Sequence, residues 1–166
     1  MGSKNRIAKH ILPIILKDRT TEQLYIEPFV GGANIIDKVN GARLANDKHF
    51  HLVEMWKALQ KGWRPPTEVS KELYYEVKTN QATLYPALVG FVGFLCSFGG
   101  KWWGGYAANK KGDNYAERGA RVLLRQVQNL KDVVFTNLDY WEIIIETNSV
   151  IYCDPPYEGT TQYKDS

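Results

Sequence analysis

Four short runs of β-branched and aromatic residues, each broken off by acidic, amide or glycine residues, constrain this chain more than any other feature. They are QLYIEPFVGGAN (23–34), ARLAND (42–47), DVVFTNLDY (132–140) and SVIYCDPPY (149–157). Helical periodicity separates the early runs. KNRIAKHILPIIL (4–16) places Ile7, Ile11, Leu12 and Ile15 on one side, ANIIDKVNG (33–41) reads as a helix closed by Gly41, and HLVEMWKALQKG (51–62) as one ending at Gly62. Strand alternating with helix predicts an α/β fold: a mostly parallel, Rossmann-like sheet with helices on its faces.

Between the second and third runs the pattern changes. TEVSKELYYEVKTN (67–80), YPALVGFVGFLCSF (85–98) and NYAERGARVLLRQVQNL (114–130) read as helices, although Gly90 and Gly93 weaken the middle one. The glycine-, aromatic- and lysine-rich stretch GGKWWGGYAANKKGDN (99–114) lies between the last two. A helix-rich insertion at 65–130 therefore divides the α/β part into 1–64 and 131–166. After the third run WEIIIE (141–146) reads as a short helix.

In parallel α/β sheets ligands bind beyond the carboxyl ends of the strands. Here those ends carry Glu27, Pro28, Phe29, Gly31 and Gly32, then Asn46 and Asp47, then Asn137 and Asp139, then Asp154, Pro155, Pro156 and Tyr157. The FVGG turn lacks the full dinucleotide spacing, which argues against a pyrophosphate cradle. Asp47 stands where an acid accepts hydrogen bonds from a ribose; the alternative is a cap on the next helix. A nucleoside cofactor without a pyrophosphate satisfies both observations. In DPPY two prolines remove amide donors, leaving carbonyls and the Asp154 carboxylate as acceptors. That set suits an amine, and Tyr157 offers a flat face to a base. The alternative is a strand-ending Pro-Pro turn with a capping aspartate.

Composition excludes some classes and suggests others. The chain is 44% apolar over 166 residues, enough for a packed core, and no apolar run approaches the roughly 18 residues of a membrane span. Cys96 and Cys153 fit no metal-ligand spacing, so a reducing cytosol with two core thiols is the expectation. The net charge is only +3, yet residues 99–131 hold seven Lys or Arg against two acids, and the first seventeen residues hold four bases and no acid. Two basic zones suit either a polyanion partner or two solvated faces.

EPFVGGA, ANDKH, TNLDY and YCDPPY, in this order around a helical insertion, resemble the Dam-type DNA adenine methylases. The opening MGSKNRIAKHILPII is similar to the amino-terminal segment of bacterial and phage members, which implies a cytoplasmic protein. The resemblance implies a methyl group passed from S-adenosylmethionine to the exocyclic amine of an adenine flipped out of double-stranded DNA, with no metal. It implies that the FVGG turn approaches the methionine part of the cofactor, with Glu27, Pro28, Phe29, Gly31 and Gly32 around it. Asp47 then holds the ribose, Asp139 and the Tyr140 backbone meet the cofactor adenine, and Lys4 lies beside the cofactor and target base. Asp154, Pro155, Pro156 and Tyr157 form the catalytic loop. Ala33 stands where many relatives have glycine or serine. On the DNA side, Arg118, Arg121 and Arg125 recur at helical spacing, while Lys101, Trp102 and Trp103 sit on a loop suited to a groove.

The family's sheet has strands beyond the DPPY one, whereas nine residues follow Tyr157 here. With strand order 3-2-1-4 the VIYC strand becomes an apolar edge, which predicts a truncated product or fragment, or a dimer partner or other chain covering it. A non-catalytic fragment binding cofactor or DNA is one alternative. An RNA adenine, a cytosine amine or a protein amide as the substrate is another.

Overall fold

The computed structural model describes residues 4–155. The described residues divide into two compact units, one built from 4–49 with 129–155 and the other from Phe50–Gln128.

The first unit is a sheet of four parallel strands, β1 (Tyr25–Glu27), β2 (Arg43–Asn46), β3 (Val133–Thr136) and β4 (Val150–Ile151), in the order β3-β2-β1-β4. Tyr25 pairs with both Arg43 and Val150, and Arg43 pairs with Val133, so the carboxyl ends of all four strands lie in register. β1 is buried along its whole length, as an inner strand of a covered parallel sheet should be. β4 is the outer neighbour of β1 and Ile151 is exposed there, the edge that the 3-2-1-4 order implies.

The strand and helix pattern is borne out with four local corrections. Helix α1 (Ala8–Ile15) forms, but Ile7 is its exposed N-cap, and buried Ala8 joins half-buried Ile11, Leu12 and Ile15 on the shielded side. The stretch 33–41 makes only a 3₁₀ turn, Ile36–Lys38. Ala33 enters it with φ +52°, and the β-branched Ile35, Ile36 and Val39 are weak helix formers. WEIIIE likewise yields only a 3₁₀ turn, Tyr140–Glu142, after which Ile143 is extended and Ile144 is 85% exposed. Cys96 is the core thiol expected, its pKa pushed up to about 12 by burial, whereas Cys153 is exposed. Of the three consecutive isoleucines only Ile143 is buried, and Cys153 follows the edge strand β4.

The second unit is helical: α2 (Phe50–Gln60), α3 (Lys71–Thr79), α4 (Pro86–Leu95) and α5 (Tyr115–Gln126), with α4 packed on the other three. α2 ends in a Schellman motif, where Gly62 at φ +90° and Trp63 return their amides to Leu59 and Ala58. Ser70 caps α3 through Leu73 N–H, Asn114 caps α5 through Glu117 N–H, and Pro86 opens α4, where its missing donor costs nothing. The two glycines of α4 have a packing role. A Cβ on Gly90 would sit 2.2 Å from the His51 carbonyl oxygen, and one on Gly93 would sit 2.2 Å from the Trp102 ring. No helix among the described residues is long and apolar enough to cross a membrane.

Candidate active site

Three loops leave the carboxyl ends of β1, β2 and β3, and one side chain ties them together. Asn46 ends β2 and is 1% exposed. Its Nδ2 donates to the Pro28 and Leu138 carbonyls, each at 3.0 Å, and its Oδ1 accepts from Thr136 Oγ1 and the Leu138 amide, each at 2.9 Å. Both donors and both acceptor lone pairs are used. Asn137 adds a second tie, its Nδ2 donating to the Asp47 and Lys48 carbonyls at 2.9 Å.

Asp47 then fixes the glycine turn. Gly31 has φ +49°, and its amide donates to Asp47 Oδ2 at 2.9 Å, while Asp47 Oδ1 accepts from the His49 amide at 2.9 Å. The carboxylate therefore shapes the start of the following segment as well as facing the turn. Nothing lies within 4 Å of a Cβ built on Gly31, so the space above the turn is open.

On the β3 side Asp139 forms a capping box: its Oδ1 accepts from the Tyr140 amide at 2.8 Å and Glu142 Oε2 accepts from the Asp139 amide at 2.8 Å. Lys48 Nζ lies 2.8 Å from Asp139 Oδ2. The rings of Phe29 and Tyr140 stand 5.6 Å apart and tilted, which brings the β1 and β3 loops side by side.

Beyond β4, Asp154 meets the amino-terminal segment, with Lys4 Nζ 3.1 Å from Asp154 Oδ1 and both side chains about one quarter exposed. Pro155 is exposed, and Pro156 and Tyr157 lie outside the described residues. Glu27, the last residue of β1, is 3% exposed and accepts from the Tyr25 hydroxyl at 3.1 Å. Burial pushes its pKa up to about 8, with the charges of Asp37 and Asp154 acting in the same direction.

Glu27, Pro28, Phe29, Gly31, Gly32, Asp47, Asp139, Tyr140, Asp154, Pro155 and Lys4 thus all belong to the sheet unit, at or near the strand ends. Among the described residues the structure holds no group of three acidic, histidine or cysteine side chains placed to bind a metal. A family model for D12 class N6 adenine-specific DNA methyltransferases matches residues 1–87, just over half of the 166. The chain belongs to this family. In this methyltransferase the matched segment runs from α1 through the FVGG turn and Asp47 to the start of α4.

The six remaining candidates of the methyltransferase lie in its helical unit. Arg118, Arg121 and Arg125 are exposed on α5, opposite the buried Ala116, Gly119, Ala120 and Leu123. The Arg118 guanidinium sits 4.6 Å from the centre of the Tyr115 ring. Lys101 is exposed. Trp102 is half-buried, with its ring 4.8 Å from Phe94 and stacked at 5.6 Å on His51. Trp103 takes φ +46°, sets its ring 5.3 Å from Tyr74 and donates Nε1–H to Gln81. The tryptophans therefore brace the loop, while its exposed aromatic is Phe98 at 69%. Sequence reasoning passed over Phe98, Lys48 and Asp37; for Phe98 the available signal was its place directly before Gly99 and Gly100.

Proposed function

We propose that this methyltransferase transfers a methyl group from S-adenosylmethionine to the exocyclic amine of an adenine turned out of double-stranded DNA, and that Asp154 with the Pro155 carbonyl receives the amine's hydrogens. The observation that carries the reading is the convergence of the Asp47-held glycine turn and the Lys4–Asp154 pair at one end of one parallel sheet.

The residues present fit the cofactor. The open space above Gly31 admits a ligand close to the backbone. Asp47 presents its carboxylate at the glycine turn, where a ribose hydroxyl can donate to it. Phe29 and Tyr140 supply apolar surface beside the Asp139 turn for the cofactor base. When bound, the cofactor supplies a methyl carbon already activated on a sulfonium.

The work left to the protein is placement and charge. An aromatic amine is a poor nucleophile because its lone pair is delocalised. Hydrogen bonds from the amine to Asp154 and the Pro155 carbonyl would localise that pair on nitrogen and orient it. The Asp154 carboxylate would stabilise positive charge developing on the amine nitrogen and would accept the surplus proton. Lys4 orients Asp154 through its Oδ1. Turning the adenine out of the helix exposes its amine, with Tyr157 as the surface it stacks upon. Residues 65–130, carrying Lys101, Trp102, Trp103 and the α5 arginines, are the part we assign to DNA.

Incubation with methyl-labelled cofactor and duplex DNA tests this. Label is expected on adenine, falling at least 100-fold in Asp154→Ala while cofactor binding persists. Cofactor binding with no transfer by the unaltered chain would overturn catalysis by it.

A further inference from the structure

Glu27 is set apart from the other acids at the strand ends. Tyr25 stands two positions earlier on β1, on the same face, and its hydroxyl donates to Glu27. From the 3₁₀ turn the Ile36 amide also donates, and Asp37 faces Glu27 from the same turn. From the end of β4, Asp154 adds its charge. Asp154 has Lys4 at 3.1 Å and Asp37 has Lys38 at 2.7 Å. Glu27 is faced instead by two neutral donors and two carboxylates, and it is the most buried of the three acids. A carboxylate so placed is stabilised by losing its charge or by gaining a cation.

We propose that Glu27 exchanges a proton for the cofactor: it holds the proton in the free protein and releases it when a cationic group of the methyl donor settles beside it. This rests on the cofactor reading given above. The group is the sulfonium, whose positive charge does not titrate and is one that a buried carboxylate neutralises. With its pKa near 8 when the protein is free, Glu27 is mostly protonated at pH 7. Binding then consumes the work of removing that proton, and the demand vanishes as pH rises. Protonation of this one group alone weakens cofactor binding about tenfold at pH 7 relative to pH 9.

The test combines two measurements. In the free protein the ¹³C carboxyl resonance of Glu27 is followed from pH 4 to pH 10; a midpoint near 8 is expected, moving below 7 with S-adenosylmethionine. Dissociation constants for S-adenosylmethionine and for its demethylated thioether are then measured at pH 7, 8 and 9 in the wild type and in Glu27→Gln. The ligand's own α-amino group titrates in this range, so the ratio of wild-type to variant affinity is compared. That ratio is expected to rise about tenfold from pH 7 to pH 9. The rise is expected for the methyl donor alone, since its demethylated thioether lacks the sulfonium; an equal rise for the thioether would overturn the assignment. A Glu27 midpoint in the ordinary carboxylate range, or a ratio that stays flat while both proteins bind, would overturn the proposal alone. No binding of either ligand at any pH would overturn the cofactor reading beneath it.

Discussion

Asn46 has no spare hydrogen-bonding capacity, so an isosteric change there has a definite sign. Asn46→Asp keeps the shape but turns the donor that serves the Pro28 and Leu138 carbonyls into an acceptor facing them. A loss of roughly 2–4 kcal/mol is expected, read as a drop in the urea midpoint, because buried carbonyls are left unpaired beside a new charge. Glu27 gives a second prediction at this scale. Its carboxyl titrates near 8 in the fold and near about 4.3 when unfolded, so between those values the folded state holds a proton that the unfolded state has lost. Stability therefore falls as pH rises through that window, and Glu27→Gln, which cannot titrate, escapes the fall. Urea melts at pH 5, 6.5 and 8 should show the variant gaining on the wild type by up to about 3 kcal/mol at the highest pH. Neither behaviour was legible in the sequence. The acids and amides at strand ends stood out there, but which of them bond to one another depends on register: Asn46 reaches Leu138 across 92 positions.

At the scale of elements, α4 is the instructive case. Two internal glycines argue against a helix by propensity, yet α4 forms because close approach to α2 and to the Trp102 ring outweighs that cost. Gly90→Ala should therefore destabilise the helical unit by about 2–3 kcal/mol despite alanine's better propensity, since backbone rather than a flexible side chain must move. A raised melting temperature would show that the close approach is not needed. The strands and long helices were legible because their periodicity and caps agree, as with Ser70 and Asn114. The stretches 33–41 and 141–146 were not, because their isoleucines and valine pack in turns and extended chain as readily as in a helix.

For the whole molecule, the basic zones matter more than the net charge of +3. On α5 the three arginines line an exposed face whose opposite side is buried, an arrangement that the helical spacing had anticipated. If that face meets phosphates, replacing Arg118, Arg121 and Arg125 with alanine should reduce the slope of log affinity for duplex DNA against log salt by roughly 2–3, since each neutralised phosphate contributes about 0.9. An unchanged slope would make them a solvated surface. Legibility also differed across the molecule: the parallel sheet followed from the βαβ pattern, whereas the bracing of the loop by Trp102 and Trp103 could not be seen without their ring contacts.

The parallel order has a consequence for how the protein is made. β1 and β4 are neighbours in the sheet, and the Gln23 side chain donates to the Asn148 carbonyl across 125 positions of chain. At about 5–20 residues per second, a ribosome reaches Asn148 roughly 6–25 s after Gln23. For most of that interval the nascent chain carries the glycine turn and Asp47 without the carboxylate that pairs with Lys4, so the two halves of the site cannot meet until that carboxylate has been made.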